Sequence, residues 1–134
     1  MKSDIKILDA YALMVFLEDE PGAQYVEDLL VQCIQGSLHL AVATVNLAEV
    51  YYNLIRRYSF ESANAAVQKL IELSIEIVPV DWEIAQKAAR LKAETPIAFA
   101  DCFAAALAQL RDCAVVTGDK EFQRLEERVQ IEWI

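Results

Sequence analysis

Ile5-Lys6-Ile7-Leu8-Asp9 is the stretch on which the reading of this chain turns. A short apolar run ends on a carboxylate, the pattern of a buried strand that delivers an acid to its carboxyl end. Ala114-Val115-Val116-Thr117-Gly118-Asp119 repeats the pattern near the other end of the chain. Between and beyond them, apolar runs at 38–42, 75–80 and 129–133 read as further strands. Residues 10–18, 23–35, 44–58, 59–73, 81–94, 98–111 and 121–126 read as helices. Thr44 and Asp81 are expected N-caps, as is Ser59 or Glu61. Pro21-Gly22, Gly36 and Thr95-Pro96 supply the breaks. Strand and helix alternate to the C-terminus. That order predicts an α/β fold: a mostly parallel sheet with helices on both faces.

The chain has 134 residues, of which 56% are hydrophobic. This is enough for one domain, expected to span 1–134, with apolar surface left for a partner. No apolar run reaches the roughly 18 residues of a membrane span, and no secretory signal is expected. Twelve basic and 21 acidic residues give a net charge of −9. That balance speaks against broad electrostatic gripping of nucleic acid, but not against an acidic cleft that recruits cations. Cys33, Cys102 and Cys113 are read as free thiols in a reducing cytoplasm. A zinc site is not expected, because no cysteine pair has ligand spacing and His39 is the single histidine.

Glu49 and Asp101 join Asp9 and Asp119 as acids set inside or beside apolar runs. A carboxylate taken from water into such surroundings loses several kcal/mol of solvation unless something compensates. Each acid alone has an ordinary reading. Asp9 caps a helix, Asp101 caps from a first turn, Asp119 sits in a turn, and Glu49 pairs with Arg56 or Arg57. Glu49 is the hardest to explain this way, being placed on a helix stripe with Val45, Ala48, Tyr52 and Ile55. In open parallel sheets the binding crevice lies beyond the carboxyl ends of the strands, where strand order reverses. If the first and fourth strands are neighbours, Asp9 and Asp119 meet there. A shared divalent cation is then the simplest compensator. Oxygen-only ligands select hard ions such as Mg²⁺ or Mn²⁺, and carboxylate sites of this type handle phosphodiesters. No Ser or Cys nucleophile elbow and no Gly-rich phosphate loop competes with this reading.

Ile7-Leu8-Asp9-Ala10-Tyr11-Ala12-Leu13, Leu47-Ala48-Glu49-Val50, Ala100-Asp101-Cys102-Phe103-Ala104-Ala105-Ala106 and Val115-Val116-Thr117-Gly118-Asp119-Lys120-Glu121-Phe122 resemble the acidic motifs of PIN-domain ribonucleases. The resemblance is nearest to the toxins of VapBC-type toxin–antitoxin pairs. It implies a three-layer α/β/α fold with a five-stranded parallel sheet in the order 3-2-1-4-5. It implies Mg²⁺- or Mn²⁺-dependent cleavage of RNA by metal-activated water. Asp9, Glu49, Asp101 and Asp119 would be the metal-site acids, and Thr117 the residue that orients them. A homodimer and a small antitoxin, its basic segment over the acidic cleft, are the implied partners. Tyr11 and Ala98 depart from the family pattern, which often carries Ser or Thr there. Arg56, Arg57, Arg90, Lys92 and Lys120 are candidate RNA contacts.

A receiver domain would need an acidic pair after the first strand, and a dehalogenase-type phosphatase an Asp-x-Asp; Asp9-Ala10-Tyr11 offers neither. Two alternatives keep the fold. One is a PIN-like module that binds a partner or RNA without cutting. The other is an RNA-processing nuclease outside a toxin pair.

Overall fold

A computed structural model describes residues 4–134, so residues 1–3 of the expected 1–134 domain lie outside it. The chain runs β1 (Asp4–Leu8), α1 (Ala10–Leu17), α2 (Ala23–Ile34), β2 (Leu38–Ala43), α3 (Thr44–Arg57), α4 (Phe60–Ile71), β3 (Glu76–Val78), α5 (Trp82–Glu94), α6 (Phe99–Leu110), β4 (Ala114–Thr117), a 3₁₀ helix (Lys120–Leu125) and β5 (Gln130–Trp133). The five strands form one parallel sheet in the order β3-β2-β1-β4-β5.

Alternation along the strands divides the core in two. Ile7, Ala41, Ala43 and Val115 point to the face covered by α5, α6 and the 3₁₀ helix. Leu8, Leu40, Val42 and Val116 point to the face covered by α1 to α4. Successive strand side chains face opposite ways, so central strands that bury apolar residues on both faces need a helical layer on each side. This is the expected three-layer α/β/α arrangement. α6 is lined with small residues, Ala104 to Ala108 with Leu107 among them, all buried. Small side chains let it lie close against the sheet.

Several boundaries moved for local reasons. β3 stops at Val78 because Pro79 has no N–H to extend the ladder. The expected cap at Thr44 is absent: Ala43 holds the N-cap position without a side-chain bond, and Thr44 is the first helical residue. β2 passes directly into α3, and the Thr44 hydroxyl instead accepts the Val80 N–H at 3.3 Å. Ser59 and Asp81 do cap α4 and α5, accepting the N–H groups of Ser62 and Ile84. α2 ends before Gly36, which takes a φ of 81° that suits glycine. The buried stripe of α3 is Asn46, Val50 and Leu54, whereas Ala48 and Tyr52, expected inside, are exposed. No helix among the described residues is long and apolar enough to cross a membrane.

Candidate functional site

β1 and β4 lie side by side, with Leu8 opposite Val116. Strand order reverses here, since β1 leads to β2 on one side while β4 arrives on the other. Asp9 and Asp119 therefore flank the crevice at the carboxyl ends of the two strands.

Asp9 is both an N-cap and a buried acid. Its Oδ1 accepts the Ala12 N–H at 2.9 Å, and only 2% of its surface is exposed. Burial pushes its carboxyl up to about 7. Hydrogen bonds from Thr117 and Ala12 oppose the rise, and the charges of Asp101 and Asp119 add to it. Asp101, in the first turn of α6, is also raised to about 7. Burial is again the main cause, followed by the charges of Asp119, Glu49 and Glu121. Glu49, half-buried on α3, is raised by burial; a hydrogen bond from Asn46 opposes this and the charge of Asp119 adds to it. Asp119 caps the 3₁₀ helix, accepting the Glu121 N–H at 3.0 Å. Its own N–H donates to the Thr117 hydroxyl at 3.0 Å.

The ordinary capping reading thus holds for Asp9, and Asp119, read as a turn residue, caps the 3₁₀ helix, yet the four acids still lie close enough for their charges to act on one another. Among the described residues Glu49 has no arginine partner. Arg57 pairs with Glu18 at 3.1 Å, and Arg56 lies over the Tyr52 ring and donates to its hydroxyl. A cleft of about 300 Å³ opens beside the acids, walled by Tyr11, Glu49, Asn53, Arg57, Asp101 and Asp119. Of the expected cationic contacts, only Arg57 reaches it. Lys92 is spent on the Ile97 carbonyl at 2.7 Å. A separate apolar cavity of about 450 Å³ between α3 and α4 contains none of the acids.

Two local features follow the unusual residues. Tyr11 stands over Gly118; a Cβ built on Gly118 would lie 2.4 Å from Tyr11 Cε1. Ala98 occupies the N-cap of α6 and makes no side-chain cap. Asn46 is the site residue that the sequence reading leaves unmarked. It is fully buried, and its Nδ2 donates to Glu49 Oε1 at 3.1 Å and to the Ala100 carbonyl at 3.0 Å. The signal that marks it is a polar residue inside an apolar run, three positions before Glu49.

An oxygen-only set of mutually repelling, buried carboxylates suits a hard divalent cation in charge and chemistry. As the side chains stand, no group of three or more His, Cys, Asp or Glu among the described residues closes round a point as a ligand cage. The set is open, with Asp9 buried behind and Glu49, Asp101 and Asp119 at the wall of the cleft.

Residues 6–128 match the PIN domain, and the chain belongs to that family. The fold is similar to that of VapBC2 from Rickettsia felis bound to a DNA fragment from their promoter, with a TM-score of 0.79 at 18% identity, covering 97% of this chain and 98% of that one. DNA-bound VapBC from Salmonella typhimurium gives a TM-score of 0.76 at 22% identity, covering 98% of each chain. VapC20 of Mycobacterium tuberculosis, a toxin described as cleaving the sarcin–ricin loop, gives 0.69 at 15% identity over 88% of this chain and 92% of that one. Comparison with curated proteins returns no match.

Proposed function

We propose that this chain is a metal-dependent endoribonuclease and the toxin of a toxin–antitoxin pair. Residues 1–134 act as one nuclease domain, working in the cytoplasm as a homodimer restrained by a small antitoxin. The observation that carries the reading is the convergence of Asp9, Glu49, Asp101 and Asp119 at the β1/β4 crevice, where burial and mutual charge raise three of their carboxyls. The PIN family and the likeness in fold to toxins of VapBC complexes support it.

Asp9, Glu49, Asp101 and Asp119 are the residues that would hold Mg²⁺ or Mn²⁺. Such an ion supplies activation of water and neutralisation of the charge that grows on the phosphate. The protein's part is to hold oxygens in place. Asp9 is fixed by the Ala12 N–H and the Thr117 hydroxyl, and Asp119 by its bond to the Glu121 N–H. Asp101 sits where the α6 dipole favours its charge. Tyr11 and Asn53 at the wall are placed to touch a nucleotide, and Arg57 to meet a phosphate. A basic antitoxin segment laid over the same acids would compete with both cation and RNA.

The test is to incubate purified protein with a mixed RNA pool in Mg²⁺, Mn²⁺ or EDTA and map new ends. Cleavage that needs the cation and disappears in Asp101→Asn is expected. Cleavage unaffected by EDTA would overturn the metal reading, and no cleavage in any cation would favour a non-catalytic binding module. Copurification with a small basic protein is expected; a monomer free of any such partner would place the chain outside a toxin pair.

A further inference from the structure

Asn46 is a polar residue where the local pattern asks for an apolar one. It shares the buried stripe of α3 with Val50 and Leu54, and none of its surface is exposed. Both donors of its amide are engaged, one by Glu49 Oε1 and one by the Ala100 carbonyl. Its Oδ1 is the one buried side-chain polar atom without a partner among the described residues. Turning the amide over would bring that oxygen against two other oxygens, so the two acceptors fix its orientation. The orphaned carbonyl is the cost of that orientation. A leucine would fill the space with no orphan. The polar side chain is explained by what it donates to.

Those acceptors belong to two helices of different layers that pack directly against each other. Glu49 belongs to α3, in the layer with α1, α2 and α4. Ala100 belongs to α6, in the other layer, and immediately precedes Asp101. Asn46 is also the only hydrogen-bond partner of the Glu49 side chain among the described residues. We propose that Asn46 is the positioning residue of the acid site, holding the Glu49 carboxylate in register with the turn of α6 that carries Asp101. This rests on the metal-nuclease reading above. Asn46 acts through Glu49 and is not itself a ligand.

The test is a double-mutant cycle read by Mn²⁺ affinity in calorimetry, with circular dichroism and melting to confirm folding. The proteins are wild type, Asn46→Ala, Glu49→Gln and the double variant. Removing a group that orients a metal ligand typically weakens binding by about 10–100-fold, and Asn46→Ala is expected to do so. In the Glu49→Gln background the same change is expected to add little. Wild-type affinity in Asn46→Ala, or losses that add in full in the double variant, would overturn the proposal while leaving the metal site standing. If the wild type itself binds no Mn²⁺, the metal reading falls and this inference with it. If Asn46→Ala does not fold, Asn46→Ser, whose hydroxyl is too short to span both acceptors, takes its place in the cycle.

Discussion

The Asp119 backbone N–H donates to the Thr117 hydroxyl at 3.0 Å, and that hydroxyl also bonds the carboxylate of buried Asp9. One hydroxyl thus ties the acid after β1 to the acid after β4. Thr117→Val keeps the shape and removes both bonds. The Asp9 carboxyl should rise further, because the Thr117 bond is the larger of the two that oppose its burial. The acidic limb of the pH–rate profile should move to higher pH in Thr117→Val and stay put in Thr117→Ser. An unmoved limb in the valine variant would remove Thr117 from the site.

Asp9→Asn, Glu49→Gln, Asp101→Asn and Asp119→Asn should each lower RNA cleavage by about 100-fold or more, with circular dichroism unchanged. Paired substitutions should cost little beyond the singles, since the acids act as a unit. His39→Ala should cut nearly as wild type, because His39 lies at the start of β2 and pairs with Glu76. Full activity in Asp9→Asn or Asp101→Asn would refute the assignment.

Metal-free protein should be stabilised by losing a site acid. The Asp101 carboxyl is raised from 3.8 to about 7, so ionising it costs stability as pH climbs through that window. Asp101→Asn should therefore melt higher than wild type in EDTA at pH 8, by about 4–8 °C for 1–2 kcal/mol. The gap should close as pH falls below the unfolded value of about 4, where the wild-type group becomes protonated in both states. Millimolar Mn²⁺ at pH 8 should reverse the order, raising wild type more than the variant. A constant gap across pH would contradict this.

Glu76 carries the opposite sign. Arg111 grips both its oxygens, at 2.5 and 2.8 Å, and holds its carboxyl down at about 2 from the usual 4.5. That contribution is complete above about pH 4.5 and is lost as pH falls through about 2. Wild type should lose its advantage over Glu76→Gln across that interval in acid-unfolding curves, and show a steady one above it. Parallel curves would mean the pair adds nothing.

Gly118→Ala should destabilise the fold, by roughly 1–3 kcal/mol, because the new methyl would meet the Tyr11 ring at 2.4 Å. The cost should largely vanish in a Tyr11→Ala background. Equal costs in both backgrounds would place the strain elsewhere.

The strands that lead to Asp9 and Asp119 are legible because each is a short apolar run with an acid at or just past its carboxyl end. The three-layer sandwich followed from the alternation of elements. The strand order came from the resemblance, since no local pattern tells β4 to pair with β1. The acids of helices α3 and α6 were visible as misfits in apolar surroundings. The direction in which α3 turns was not. Its stripe through Val45, Ala48, Tyr52 and Ile55 looked apolar, yet Asn46 faces inward and Tyr52 outward. Hydrophobicity alone cannot reveal that a buried amide will be matched by acceptors from two helices distant in sequence. The Thr44 cap failed for a similar reason: a strand running straight into a helix redirects the hydroxyl to another strand's end.

The pairing of Leu8 with Val116 has a consequence for timing. β1 and β2 precede β4 in the chain by more than 70 residues, so they are synthesised well before the strand that brings Asp119. Until that late strand docks, Asp119 has no place next to Asp9, and the acid set does not exist. A nascent or truncated chain lacking β4 therefore carries no assembled centre, however well its first helices have formed.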